Sequence, residues 1–382
     1  MSAIYIHIPF CQKICPFCAF PVLPDDGEKH DMYVHFIQQE LELLPEKLKQ
    51  SDSPVKSVYF GGGTPSRLSA KNIGILTGLL RQHFQINSDA QWSIELNPED
   101  VSVQYLKQLN EMGFNRISLG IQSFNETHLK VLGRVHDGKT AEVAIDKIVL
   151  SGFKNFNLDL MYGFPGQTIQ TLKADLNVFV QKKATHISAY GLDIEKKTKL
   201  NRRNDWKEWQ SDNEVLVTQM YDTIVSFLCD HGYEQYEISN FSQPGFRSVQ
   251  NELNWKGKNY LGFGMGAHSY IHPYRWANAR RWVDYKKFLN QSELPRQFLE
   301  ELTIAQQRDE TIMVQLRLSR GLSLDEFSLK YSIKIEELWR QKLNILIDNH
   351  LLTKNKKIIK LTNKGMMLAD EIASSLAALI PE

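Results

Sequence analysis

Three of the four cysteines in this 382-residue chain fall close together, as Cys11, Cys15 and Cys18 in the spacing CxxxCxxC. A [4Fe–4S] cluster normally takes four thiolates, so three close cysteines would hold three irons and leave the fourth open. An open iron can chelate a ligand through an amine and a carboxylate, a pair that S-adenosylmethionine (SAM) carries on its methionine end. Electron transfer into the sulfonium then breaks a C–S bond and releases a radical. The same thiols could instead form a structural zinc site, with His7 as a fourth ligand. The remaining cysteine, Cys229, lies in a helical stretch and reads as a buried free thiol. A chain this long and this poor in cysteine is not a disulfide scaffold.

These cysteines need an element to position them, and the sequence supplies a series. Short β-rich runs recur at Ile4–Ile8, Ser57–Phe60, Trp92–Leu96, Arg116–Ile121, Phe156–Met161 and His186–Gly191. Between them apolar residues recur at three and four, as in Tyr33, Ile37, Leu41 and Leu44, or Ile73, Leu76, Leu79 and Leu80. Six βα units in a row predict a parallel sheet with helices outside it. Six are too few for a closed eight-unit barrel, so the expectation is an open, partial (β/α)6 barrel. Ligands bind at the C-terminal ends of such strands. The cysteine loop follows the first strand. Gly61-Gly62-Gly63, Glu95, Gln122 and Asp159 fall at or near the ends of later ones.

The chain divides by pattern into residues 1–232, the partial barrel; 233–298, a stretch rich in Gly, Asn and aromatics that should form loops and short strands over the barrel opening; and 299–382. The last part reads as a winged-helix-like α+β domain. Ser323-x-x-Glu326 has the spacing of a capping box, Ile335–Asp348 is helical, Leu351–Leu361 alternates like a small hairpin, and 365–378 is helical again.

Several strings together resemble the radical SAM superfamily, and within it the oxygen-independent coproporphyrinogen III oxidases and the HemW-type heme chaperones. They are YIHIPFC (Tyr5–Cys11), FGGGTPS (Phe60–Ser66), IELNPE (Ile94–Glu99), GFNRISLGIQSF (Gly113–Phe124), LGR (Leu132–Arg134), LDLMYGFPGQT (Leu158–Thr168), YEQYEISNF (Tyr233–Phe241) and LGFGMGAHSY (Leu261–Tyr270). The resemblance implies a cluster on Cys11, Cys15 and Cys18. It implies SAM contacts from Gly62, Gly63 and Thr64 in the glycine turn, and from Glu95, Gln122, Arg134 and Asp159. A carboxylate there can accept from ribose hydroxyls or an ammonium, and an arginine can pair with the methionine carboxylate. Tyr5 and Phe17 resemble residues that line the SAM side of the cluster.

Two features favour the chaperone branch. The oxidases carry a further cysteine two residues after the third cluster cysteine, where this chain has Phe20. They also extend further before the first barrel strand. Coproporphyrinogen III oxidase activity is therefore not expected. The resemblance implies a protein that binds heme and passes it to an acceptor protein; the alternative is a radical SAM enzyme, a methylase or a tetrapyrrole-modifying enzyme, drawing electrons from a flavodoxin or ferredoxin. One departure bears on heme. The chaperones carry HNxxYW, and here the segment is Gln250-Asn251-Glu252-Leu253-Asn254-Trp255, with Gln for His and Asn for Tyr. Neutral amides are poor iron ligands. Contacts from Trp255, Tyr260 and Phe263 would then hold the macrocycle, with His268 or His272 as the axial ligand.

Charge excludes little more. Lys+Arg is 45 and Asp+Glu 44, a net charge of +1, which gives no reason to expect nucleic acid as a partner. The lysines of the C-terminal hairpin, Lys354, Lys356, Lys357 and Lys360, read as a solvated edge. The start has no signal-peptide pattern and there is no long uncharged apolar run. The expected place is the cytoplasm, with membrane contact only through an acceptor.

Overall fold

The computed structural model describes residues 1–49 and 54–380. The six expected strands are all present: β1 (Ala3–Ile8), β2 (Val55–Gly62), β3 (Ile86–Leu96), β4 (Arg116–Gln122), β5 (Phe156–Tyr162) and β6 (His186–Gly191). They lie side by side in chain order, each parallel to the next. Most of their residues are buried, as in β1 and β4, which is why they read as near-continuous apolar runs.

The connecting helices cover the outer face: α1 (His30–Leu43), α2 (Ala70–His83), α3 (Val103–Glu111), α4 (Gly138–Leu150), α5 (Ile169–Gln181) and α6 (Glu214–Asp230). Helix α2 shows the logic. Ser69 Oγ accepts from Asn72 N and starts the helix, and Ile73, Leu76 and Leu80 are fully buried on one face. Truncating one such leucine to alanine costs about 2–5 kcal/mol. On α6 the buried residues are Met220, Tyr221, Ile224, Val225 and Leu228. Cys229 falls on the other face and is exposed, not buried as expected.

The region expected to lie over the opening is instead built into the sheet at both edges. Strand β7 (Asn240–Ser242) pairs antiparallel with β6 and carries the two-residue strand Glu234–Gln235 beyond it. After α7 (Val249–Trp255), β8 (Tyr260–Phe263) pairs parallel with β1. It is followed by the antiparallel run β9 (His268–Ile271), β10 (Tyr274–Asn278) and, after α8 (Trp282–Asn290), β11 (Arg296–Glu301). Buried Glu40 on α1 fastens this addition, accepting from Gly264 N at 2.9 Å, Tyr285 Oη at 2.7 Å and Asn278 Nδ2 at 2.6 Å.

Helix α9 (Ile304–Leu316) leaves the β11 edge and ends beside the opposite one, where Leu318 bridges Glu237 and Ser319 N donates to Tyr236 O. It therefore crosses the seam that the open barrel leaves. Beyond it α10 (Leu324–Tyr331) and α11 (Ile335–Asp348) precede the hairpin β12 (Leu352–Asn355) and β13 (Ile358–Leu361), then α12 (Ala369–Ala377). Ser323 accepts from Glu326 N as the α10 cap, the serine half of the expected box. Trp339, fully buried, donates Nε1–H to Leu376 O at 2.9 Å. Lys354 and Lys357 both bond Glu336, so much of the hairpin's positive charge is paired.

Candidate functional site

Cys11 ends the short strand Phe10–Cys11, which pairs with Leu23–Pro24. Cys15 and Cys18 are joined by a tight turn, with Cys18 N donating to Cys15 O at 3.2 Å. All three thiols are free and half-buried. Thr64 Oγ1 lies 3.6 Å from Cys11 Sγ, and Arg134 Nη1 lies 3.7 Å from Cys15 Sγ. Asn97 joins these two: its Nδ2 donates to Thr64 Oγ1 at 3.2 Å and its Oδ1 accepts from Arg134 Nη2 at 2.7 Å. Arg134 Nη2 also donates to Gly120 O at 2.9 Å. Asn97 was not singled out in the sequence, although it sits inside the IELNPE string beside Glu95.

Burial pushes the Cys11 thiol up to about 11 and raises Cys18 as well, with the neighbouring cysteines adding to both. Free of metal these groups are thiols, and a bound metal displaces the protons. His7 is not free to complete a zinc site. Its Nε2 is 2.8 Å from Pro21 O, its Nδ1 is 3.2 Å from Tyr5 Oη, and burial pulls its pKa down to about 4. Among the described residues no group of three or more His, Cys, Asp or Glu side chains is drawn together around the position of a single ion. With His7 engaged elsewhere, three thiols suit a cluster better than one tetrahedral zinc, which wants four ligands.

The glycine turn is locked against β1. Gly63 N donates to Ile8 O at 2.7 Å. Gly62 has φ +114°, and a Cβ there would come within 2.4 Å of the His7 ring; one on Gly63 would meet the Pro9 backbone at 2.7 Å. Glu95 fixes the turn from the other side, accepting from Gly62 N at 3.0 Å and Tyr59 Oη at 2.8 Å. Burial raises the Glu95 pKa, while those two donors oppose the rise.

Asp159 faces the same interior. Burial and then the Glu95 carboxylate push it up to about 7, against the hydrogen bond from Asn157 and the charges of Arg116 and Arg134. Gln122 ends β4 at φ +70°, at a shift in register against β5. This is a left-handed position that re-aims a side chain at a strand end, and Gly120 lies against its amide, Asn97 and Arg134. Tyr5 stacks on Tyr59 at 6.2 Å. Phe17 packs against a small separate cluster that includes Leu132 and Leu200. The structure thus brings Thr64, Gln122, Arg134 and two of the cysteines to one mouth, with Glu95 and Asp159 beneath.

A second feature lies at the seam. A cavity of about 700 Å3 is bounded by the end of β6, by α7, by the β8–β10 edge and by α9. Asn251, Asn254 and Trp255 line it from α7, and Tyr260 and Tyr270 from the edge strands. Three residues expected to contact heme lie outside the lining of this cavity. Phe263 is buried on β8 against Phe84 and faces the core. His268 packs near Phe298, and neither it nor His272 lines the cavity. Gln250 is buried on α7, donating to Asn254 Oδ1 at 3.2 Å. A chain of hydrogen bonds joins this cavity to the mouth. Asn157 Nδ2 donates to Asp159 at 2.7 Å, and Asn157 Oδ1 accepts from His186 Nδ1 at 2.6 Å. His186 Nε2 then accepts from Tyr236 Oη at 2.8 Å, whose oxygen accepts from Asn251 Nδ2 at 3.3 Å. Burial holds His186 neutral, as this pattern requires.

Residues 5–179 match the radical SAM superfamily and residues 302–368 the HemN C-terminal domain. The heme chaperone HemW of Bacillus subtilis (strain 168) is 33% identical over 373 residues, covering 97% of this chain and 98% of that protein. The chain belongs to the HemW family of radical SAM proteins. The HemW of Escherichia coli (strain K12) is 30% identical, covering 97% of this chain and 96% of that protein. Coproporphyrinogen III oxidase (HemN) from Escherichia coli shares the fold, with TM-score 0.85 at 23% identity over 99% of this chain and 91% of that one. The radical SAM superfamily implies a [4Fe–4S] cluster and SAM, and the thiol set with its Thr64 and Arg134 donors fits the cluster. Phe20 is well exposed. Among the described residues no helix is long and apolar enough to cross a membrane.

Proposed function

We propose that this HemW-family protein is a cytoplasmic heme chaperone that binds heme and transfers it to an acceptor protein. The observation that carries the reading is similarity to curated heme chaperones along almost the entire chain. In this reading Cys11, Cys15 and Cys18 hold the cluster. Thr64 and Arg134 donate toward two of the sulfurs and offset their negative charge. Held by these thiols, a cluster with one iron free of protein ligands would supply a place for the amine and carboxylate of SAM and an electron for it.

The chain's own groups do the rest. Gly62 and Gly63 let the turn pack closely against His7 and Pro9, which fixes its backbone beside the mouth. Glu95 and Asp159 offer acceptors to its hydroxyl and ammonium groups, and Gln122 and Arg134 offer donors to its carboxylate. Tyr5 and Phe17 flank the mouth. Heme occupies the seam cavity, where Trp255 and Tyr260 present aromatic surface. Absence of the extra cysteine at Phe20 argues against oxidase activity.

The test is anaerobic reconstitution of the cluster, then a hemin titration, transfer to an apo-heme protein and a SAM-cleavage assay on one sample. Hemin binding and transfer are expected. Consumption of SAM by a reduced sample that binds no hemin would replace the chaperone with a radical SAM enzyme supplied by a flavodoxin- or ferredoxin-type donor.

A further inference from the structure

The family's His and Tyr are missing from α7, and among the described residues neither histidine nor cysteine lines the seam cavity. A heme iron seated there must take its protein ligand from another residue type. We propose that the thioether of Met313, on α9, is that axial ligand, so that the C-terminal domain holds the iron while α7 and the barrel edge hold the macrocycle. This rests on the heme-chaperone reading and adds to it a ligand and a second wall.

The argument starts with space. A cavity of about 700 Å3 lies within the roughly 300–1,000 Å3 of small-molecule sites. Trp255, Tyr260 and Tyr270 give it the aromatic surface a flat macrocycle needs. Lys256, Lys258 and Lys330 supply cations at its wall for peripheral carboxylates.

The donors then sort by chemistry. Tyrosine binds ferric iron as phenolate, yet burial raises the pKa of the lining phenols Tyr190, Tyr260 and Tyr270. Glu237 is held by Asn240 and Ser239 N, and Glu310 by Arg275. Lysine must lose a proton before it can ligate. A thioether needs no deprotonation and is an established heme ligand type. Met313 also has the right placement. Its neighbour Ile312 faces the core at 0% exposure, whereas Met313 is 40% exposed and lines the cavity. Binding exchanges no electron or proton: a sulfur lone pair takes the place of a water on the iron.

The experiment compares hemin with metal-free protoporphyrin IX on the full-length, reconstituted protein. Wild type should shift the Soret band of hemin away from that of free hemin. Met313→Leu should lose that shift and bind hemin roughly tenfold more weakly, while binding protoporphyrin IX as wild type does. Met313→His should restore tight hemin binding with a nitrogen-ligated spectrum. Leucine is close to methionine in volume at a half-exposed site, so the first variant should fold, and the second gives an independent gain-of-binding readout. Identical hemin spectra and affinities for wild type and Met313→Leu would overturn the proposal. So would equal loss of hemin and protoporphyrin, which makes Met313 a packing residue only. A wild type that binds neither compound refutes the chaperone reading itself.

Discussion

The barrel mouth and the seam cavity lie at the two ends of one hydrogen-bond chain, from Asp159 to Asn251, yet they are assembled in opposite ways. At the mouth each contributor comes from a short string at a strand end, and its place is fixed by neighbouring backbone. Gly63 is tied to Ile8 and Gly62 to Glu95. Gly133, at φ +72°, leaves no room for a Cβ against Pro16 of the cysteine loop. The cavity draws its walls from α7, three edge strands and a helix of the C-terminal domain. A site made of local strings keeps its signature in sequence, whereas a site made where distant elements meet can change its residues and keep its shape.

The largest effect should come from the cluster thiols. Cys15→Ala is expected to abolish the brown absorbance and the iron content of the reconstituted protein, and Cys229→Ala to leave both. Hemin binding at the cavity should survive Cys15→Ala. Loss of hemin binding together with the cluster would show that the two regions are one site.

Next in size is the glycine turn. Placing Cβ on Gly62 forces a left-handed residue and drives an atom into the His7 ring. The backbone strain alone costs roughly 1–3 kcal/mol, and the clash adds to it. Gly166, at φ +86° with nothing within 4 Å of its would-be Cβ, isolates the strain. Thermal unfolding should therefore place Gly62→Ala well below Gly166→Ala. Equal midpoints would mean that His7 swings aside and that the mouth is less tightly built than its contacts indicate.

How much of this was legible follows the same division. All six parallel strands announced themselves because they are buried on both faces. β3 begins at Ile86, six residues before the apolar run at Trp92, because its polar start, Asn87 to Asp89, has largely exposed residues and carries no apolar signal. Strands β7 and β8 are three and four residues long and have no period to detect, so their place at the sheet edges emerged only from pairing. Asn97 and Glu40 were missed for a related reason. A lone Asn after a strand, or a Glu on a helix, normally faces water. Only three-dimensional neighbours show that one links Thr64 to Arg134 and the other accepts three hydrogen bonds.

A smaller effect should appear in the pH dependence of SAM binding. Asp159 in the free barrel titrates at about 7, well above its ordinary 3.8, chiefly because it is buried and lies near Glu95. A ligand that donates hydrogen bonds to it favours the ionised form. Below about pH 7 part of the binding energy must go into removing the proton. SAM affinity is therefore expected to rise as pH climbs through about 7 and then level off, and Asp159→Asn should flatten that slope. The same raised pKa makes the opposite contribution to folding: the native state holds this proton more tightly than the unfolded chain, so stability from this group falls as pH rises from about 3.8 to about 7. Calorimetry on either side of neutrality separates the two, and a SAM affinity independent of pH would remove Asp159 from the contact set.

The smallest effect is expected where sequence comparison would look first. Restoring the family histidine with Gln250→His ought to tighten heme binding if that position faced the ligand. Gln250 is instead 5% exposed, turned along α7 toward Asn254 and absent from the cavity wall. An imidazole there meets packed protein before it meets iron. Hemin affinity should change by less than about twofold, under 0.5 kcal/mol, while the same histidine placed at position 313 brings a nitrogen ligand into the cavity. If Gln250→His instead produced a nitrogen-ligated heme spectrum, α7 would have to rotate on binding. The seam cavity would then be a site that forms around its ligand, in contrast to a mouth already held in place by its backbone.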